Sequence, residues 1–131
     1  SELADAGKKL GPNFLISYFQ GLALSRAGRP PEAISAFQEA VRLSPNNSEA
    51  RLGLGQAELT AGHNNQAIAE LQKCLQISPG NAQAKRLLSQ AYRRTGDTEA
   101  ALGYSQESQE KEVAPQNDLL RDFILPEWQG P

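Results

Sequence analysis

An all-α solenoid of stacked helix-turn-helix units, without a sheet, is the fold class this sequence predicts, and two observations predict it. The first is an internal repeat of 34 residues. Pro45 and Pro79 close two segments that read AISAFQEAVRLSPN and AIAELQKCLQISPG. Laid over each other without a gap, Phe14–Asn47 and Ser48–Asn81 share Gly21/Gly55, Ala23/Ala57, Ala27/Ala61, Gly28/Gly62, Ala33/Ala67, Ile34/Ile68, Gln38/Gln72, Ser44/Ser78, Pro45/Pro79 and Asn47/Asn81. A period of this length, with helical patterning on both sides of a Gly, marks units too small to bury an apolar face alone. The second observation is composition: Ala, Leu and Gln are abundant, aromatics make up 6%, and runs of Val or Ile are absent. Such usage suits helices and argues against strands.

The elements follow in order. Helix A of the first unit is expected over Asn13–Ala27, a turn at Gly28-Arg29-Pro30, and helix B over Pro31–Leu43. Gly28 can take the positive φ that ends a helix. Pro31 is tolerated in a first helical turn, and Ser44-Pro45 stops helix B because Pro disfavours helical φ/ψ in the residue before it. The second unit repeats the plan, with helix A at Ser48–Ala61, a turn at Gly62-His63-Asn64 and helix B at Asn65–Ile77.

The third unit starts at Ala82 and keeps Ala91, Tyr92, Gly96, Ala101 and Leu102 in phase, with Asp97 placed to cap its helix B. It then drifts. Ser105 stands where the earlier units have Phe37 and Leu71, Ser108 where they have Ala40 and Cys74, and Val113 replaces the proline. A polar inner face of this kind is expected of a terminal unit with no full neighbour.

Both ends carry partial elements. Leu10-Gly11-Pro12-Asn13 resembles Leu43-Ser44-Pro45-Asn46, so Ser1–Leu10 reads either as the second helix of a preceding unit or as a capping helix. Met is absent, which is expected of a segment excised from a longer chain. After the breaker Ala114-Pro115-Gln116, a short helix from Asn117-Asp118 would carry Leu119, Leu120, Phe123 and Ile124 on one side, and Pro126 would end it before Trp128. The organisation expected is thus a single domain: 1–12 as a preceding half-unit or cap, 13–46, 47–80 and 81–114 as three units, and 115–131 as a C-terminal helix and tail.

Composition narrows the function classes. A chain of 131 residues at 39% hydrophobic and net charge −2 has ordinary globular composition for one domain. No apolar stretch approaches the ~20 residues needed to cross a bilayer, so membrane insertion is not expected. The single Cys, Cys74, has no internal disulfide partner and reads as a small core residue. His63, the sole His, has no ligand cluster near it and reads as a solvated turn residue, so no metal site is expected. No phosphate loop, catalytic triad or paired-acid motif is present, so neither catalysis nor a cofactor is expected. A pI near 5.4 disfavours nucleic acid.

These units resemble the tetratricopeptide repeat (TPR) family. In that pattern small residues at three positions let the two helices approach, a large one fills the gap and a proline closes the unit. Unit one has Gly21, Ala33, Ala40, Phe37 and Pro45, and unit two has Gly55, Ala67, Cys74, Leu71 and Pro79. Unit three keeps Ala101 and an aromatic Tyr92, with Ser89 in place of Gly. The resemblance implies a right-handed superhelix whose concave groove, lined by A helices, binds peptides or helices of other proteins. Groove positions carried over from the family are Leu15, Tyr18, Leu22 and Arg26, then Leu52, Gln56 and Leu59, then Arg86, Gln90, Arg93 and Arg94. One end of that groove would be apolar and the other basic, and the basic end reads either as a solvated face or as a reader of an acidic peptide. The family's carboxylate clamp for chaperone tails is not matched, since its positions hold Tyr18, Leu22, Gly53, Gln83 and Leu87.

Charge is uneven along the chain: residues 105–131 carry net −4 and residues 1–104 net +2. The expected function is a protein-interaction scaffold that holds a partner protein or peptide, with an acidic peptide favoured at the basic end. The alternative is a self-assembly module, a homo-oligomer in which Leu120, Phe123, Ile124 and Trp128 of the C-terminal segment dock on the same or a neighbouring stack.

Overall fold

A computed structural model describes residues 11–108. Its helices are α1 (Pro12–Arg26), α2 (Pro30–Leu43), α3 (Ser48–Thr60), α4 (Asn64–Ile77) and α5 (Ala82–Thr95), followed by α6, which covers 98–108 within the described residues. No strand occurs among them. The expected elements are all present in this span, with ends displaced by one residue. Pro30 and Asn64 join their helices because the first helical turn needs no N–H partner and tolerates Pro. The expected N-terminal half-unit and the C-terminal segment with Leu120, Phe123, Ile124 and Trp128 lie outside the described residues.

The 34-residue period of the sequence is also a period of backbone hydrogen bonds. Gly28, Gly62 and Gly96 take φ of 74°, 86° and 89°, a left-handed conformation that costs glycine little. After each of them the chain folds back identically. Arg29 N–H donates to Leu24 O (3.0 Å), His63 N–H to Glu58 O (2.8 Å) and Asp97 N–H to Tyr92 O (2.9 Å). The inter-unit turns repeat as well. Ser44 and Ser78 leave the helical conformation before their prolines, Asn47 N–H donates to Ser44 O and Asn81 N–H to Ser78 O, and both Asn side chains then cap the next helix.

α1 packs on α2 and α3 on α4, α3 and α5 also pack on the B helix of the unit before, and α1 meets α3 as α3 meets α5. The A helices therefore form a continuous inner layer, with the B helices outside. Small residues make this close approach possible. Ala33, Ala40, Ala50, Ala67, Cys74, Ala84 and Ala91 are completely buried, and Cys74 is core as its counterpart Ala40 implies. Between the small residues sit Phe37, Leu71 and Leu88. Burying each such large side chain stabilises by about 1.5–3 kcal/mol.

Candidate binding groove

The inner layer presents α1, α3 and α5 in sequence, and the recessed side of that layer is the candidate site. Tyr18 stands near its start, stacked on Phe14 with ring centroids 5.8 Å apart and edge-on to Phe37 at 6.0 Å. Burial, and secondarily the nearby Glu49 carboxylate, push the Tyr18 hydroxyl above its ordinary pKa. It is a neutral donor at any physiological pH.

Past Tyr18, a pocket of about 330 Å³ opens between α1, α2 and α3. Leu22, Phe37, Gly53 and Ala57 give it apolar walls, while Ser25, Arg26, Gln56 and Thr60 supply polar groups. Gly53 and the Phe37 ring meet directly at this wall, since a β-carbon on Gly53 would lie within 3 Å of the ring. An apolar wall with a few polar groups suits an aliphatic or aromatic side chain whose backbone or neighbour can hydrogen-bond at the rim.

Further along, Arg86, Ser89, Gln90, Arg93 and Ser105 line a second, more polar cleft of about 270 Å³. The structure thus gathers Leu22, Arg26 and Gln56 at one pocket and Arg86, Gln90 and Arg93 at another. Leu15 and Tyr18 are half-buried and pack against the core beside Phe14 and Ala40.

Three of the groove positions expected from the sequence are placed otherwise. Leu52 and Leu59 are 7% and 3% exposed, within the cluster that holds Leu71, Ala84 and Leu88. They face the next unit and offer no groove surface, because successive A helices in contact must bury part of the face they share. Arg94 turns back instead of lining the groove, and its Nη1 donates to the Leu59 carbonyl at 2.7 Å. That carbonyl lies in the last turn of α3, where it also accepts from Gly62 N–H at 3.1 Å and where the helix dipole favours a cation.

One group escaped sequence reasoning. Glu58 is 6% exposed, and its Oε2 has no hydrogen-bond partner among the described residues. Desolvation, with the Glu70 carboxylate adding repulsion, pushes its pKa up to about 7. Register could have revealed it, since the equivalent positions hold Leu24 and Tyr92. Glu70 itself is held by Arg51 at 2.8 Å. His63 is exposed, and no His, Cys, Asp or Glu cluster able to hold a metal occurs among the described residues. No helix among them is long and apolar enough to cross a membrane.

The tetratricopeptide repeat pattern matches residues 18–82 and again 59–115. The chain belongs to the tetratricopeptide repeat family. Solved structures agree on the architecture. The crystal structure of MamA matches with a TM-score of 0.73 at 27% identity, over 79% of this chain and 61% of MamA. A MamA mutant gives 0.72 at 22% identity, over 78% of this chain and 74% of that one. The second TPR of Spaghetti (RPAP3), solved bound to the HSP90 peptide SRMEEVD, gives 0.74 at 12% identity over 80% of this chain and 96% of that one. This chain therefore spans less than two thirds of the MamA crystal structure. A comparison with curated protein sequences finds no match. The TPR chain is accordingly an all-α, right-handed superhelical solenoid, and its general role is protein–protein interaction.

Proposed function

We propose that this TPR domain binds an extended or helical segment of a partner protein along its A helices, with an apolar side chain of the segment seated in the pocket of Leu22, Phe37, Gly53 and Ala57. The observation that carries the reading is the pocket itself, about 330 Å³, rimmed by Arg26, Gln56 and Thr60. Its walls come from the packed helices α1, α2 and α3, so a ligand meets a preformed surface there. The peptide-bound RPAP3 domain supports the mode of binding and leaves the ligand open, since at 12% identity only the fold is shared. The chaperone clamp positions are unmatched here, which disfavours that ligand.

Peptide selection from a random library against the wild-type domain, repeated with Gln56→Trp, tests this reading. Gln56 is exposed at the pocket rim, so the indole fills the pocket without disturbing the core. Enriched peptides should share an apolar anchor and lose at least about tenfold in affinity for the variant. Peptides that bind both forms equally would place recognition elsewhere.

Self-association is the second reading, and one observation favours it. Ile16 and Phe19 of α1 are 56% and 59% exposed, one turn apart. In the repeat register Phe19 stands where Gly53 and Leu87 stand, positions that face the preceding unit, so this apolar pair suits a further helix pair or a second copy. Solution mass over a concentration range, for wild type and Phe19→Glu, separates the readings, because only self-association predicts a mass that rises with concentration and falls in the variant. The expected docking of Leu120, Phe123, Ile124 and Trp128 concerns residues outside those described.

A further inference from the structure

We infer that copies of this chain join end to end, the apolar face of α1 in one copy docking on the open end of α5 and α6 in another, so that each junction continues the repeat stack. The partner is a second copy, and the inference deepens the self-association reading and rests on it. Ile16, Phe19 and Ala23 fall at i, i+3 and i+7 on α1 and so share one face. Their counterparts are Ala50, Gly53 and Ala57 on α3, and Ala84, Leu87 and Ala91 on α5. The four alanines of those counterparts are buried, whereas all three α1 residues are exposed, Ile16 at 56% and Phe19 at 59%. A leading unit that stays single carries a polar outer face, and α1 carries an isoleucine and a phenylalanine there instead. The other half of the same interface is open at the opposite end. Ile34 is 8% exposed and shares a cluster with Leu54 and Ala57 of the next unit, and Ile68 packs against a cluster that holds Ala84 and Ala91. Leu102, their counterpart on α6, is 62% exposed.

The two ends also match in volume. Phe37 meets Gly53 between units one and two, and Leu71 meets Leu87 between units two and three. Between copies the same pair is Ser105 and Phe19. Large faces none, medium faces medium, and small faces large. The room for the ring is the cleft of about 270 Å³ beside Ser89 and Ser105, where it can stack on the guanidinium of Arg93. A second pair inverts likewise: Phe14 clusters with Ala50 of the next unit, and between copies the pair is Ala82 and Ile16. Arg26, which is exposed, adds a polar contact. It stands in register with Arg94, whose Nη1 donates to a Leu59 carbonyl that also accepts from Gly62 N–H. Arg93 O is the counterpart of that carbonyl and accepts from Gly96 N–H at 3.2 Å, which leaves a lone pair for Arg26 of the incoming copy. Charge opposes the junction, because α1 brings no acid and Arg26 meets the Arg93 guanidinium. Exposed charges interact weakly and are screened by salt, so apolar burial holds the junction and added salt strengthens it.

Such a junction joins two different faces, so it grows into chains instead of stopping at a dimer. Sedimentation of the full chain over a concentration range tests it on wild type, Phe19→Glu, Leu102→Glu and an equimolar mixture of the two variants. Both residues are exposed within one copy, so neither change enters the core, and circular dichroism checks this. Wild-type mass should rise past that of two chains. Each variant alone should associate at least about tenfold more weakly. The mixture, with one intact α1 face and one intact α6 face, should form a pair of one copy each and grow no further. Raising salt from about 0.05 to about 0.5 M should tighten wild-type association. A wild type that stays at one chain mass, the outcome if residues 1–10 or 109–131 of the same copy cover these faces, would overturn the inference together with the self-association reading. Three other results overturn the inference alone: association untouched by Leu102→Glu, as an α1-to-α1 dimer gives, a mixture no larger than its components, or association that weakens with salt. The two failures are therefore distinguishable.

Discussion

A β-carbon placed on Gly53 would lie 2.6 Å from Cε1 of Phe37. Gly53 belongs to α3 and Phe37 to α2, so this contact joins two units. Unit two solves the same problem with different volumes: Leu71 replaces Phe37, and Leu87 replaces Gly53. One large and one absent side chain have the same effect as two of medium size.

That equivalence predicts a change of sign in a double-mutant cycle. Phe37 is 1% exposed, so Gly53→Ala should overpack the site, at about 1–3 kcal/mol. The gain in helix propensity of about 1 kcal/mol offsets part of this. In a Phe37→Leu background the clash disappears, and Gly53→Ala should stabilise by up to about 1 kcal/mol. Urea denaturation of the four proteins measures the coupling. Equal effects of Gly53→Ala in both backgrounds would show that Phe37 does not set the space.

Capping divides the helices into two groups. Asn47 Oδ1 accepts from Ala50 N–H at 3.0 Å, Asn81 Oδ1 from Ala84 N–H at 2.9 Å and Asp97 Oδ1 from Ala100 N–H at 3.1 Å. Arg29 and His63, at the starts of α2 and α4, supply no side-chain cap. Asn47→Ala and Asn81→Ala should each cost about 0.5–2 kcal/mol. His63→Asp, which copies Asp97 one period earlier, should stabilise by about 0.5–1 kcal/mol through the cap and the helix dipole. Thermal melts of the three variants check both signs.

Arg93 and Arg94 are neighbours in sequence with different surroundings, Arg93 being exposed while Arg94 reaches a backbone carbonyl. The hydrogen bond from Arg94 to Leu59 O ties α5 to the end of α3, and bonds to charged groups contribute about 1.5–3 kcal/mol. Arg94→Gln should therefore lower stability by roughly 1 kcal/mol or more. Arg93→Gln should leave it within about 0.5 kcal/mol, as for other exposed substitutions. Matching melting temperatures for the two variants would mean that the Leu59 contact is not maintained in solution.

The period was legible in the sequence because turn chemistry is local. Gly28 and Gly62 need positive φ, and Ser44-Pro45 and Ser78-Pro79 cannot continue a helix, so the helix ends can be placed within a residue. Burial of Cys74 followed from its register with Ala40. What register could not supply was the direction of A-helix side chains at the contact between units. Leu52 occupies the position of Tyr18, yet Leu52 is core, packed with Leu71, Ala84 and Leu88, and Tyr18 is half-buried. Arg94 differs from Arg93 only by a rotation of one residue about α5, and that rotation sends it to a carbonyl 35 positions back. Glu58 was missed for a related reason: an acid on a helix reads as solvated until its neighbours enclose it.

Glu58 should make stability depend on pH in the direction opposite to that of a salt-bridged acid. Its pKa rises from 4.5 to about 7 on folding, first through burial and then through repulsion from Glu70, itself held by Arg51. Between those two values the folded chain holds this proton while the unfolded chain releases it, so stability from this residue falls as pH rises through that window and is flat on either side. Above about pH 7 the cost is complete, a buried charge with an oxygen that has no partner among the described residues. Glu58→Leu, which restores the residue type of Leu24, should raise stability at pH 8 by about 1–3 kcal/mol. It should gain less at pH 4.5, where the wild-type side chain is already neutral in the fold. Urea midpoints for both proteins at pH 4.5, 6 and 8 give the difference curve. Because the remaining carboxylates are common to both proteins, a difference that is constant across the three values would mean that Glu58 keeps its ordinary pKa in the folded chain.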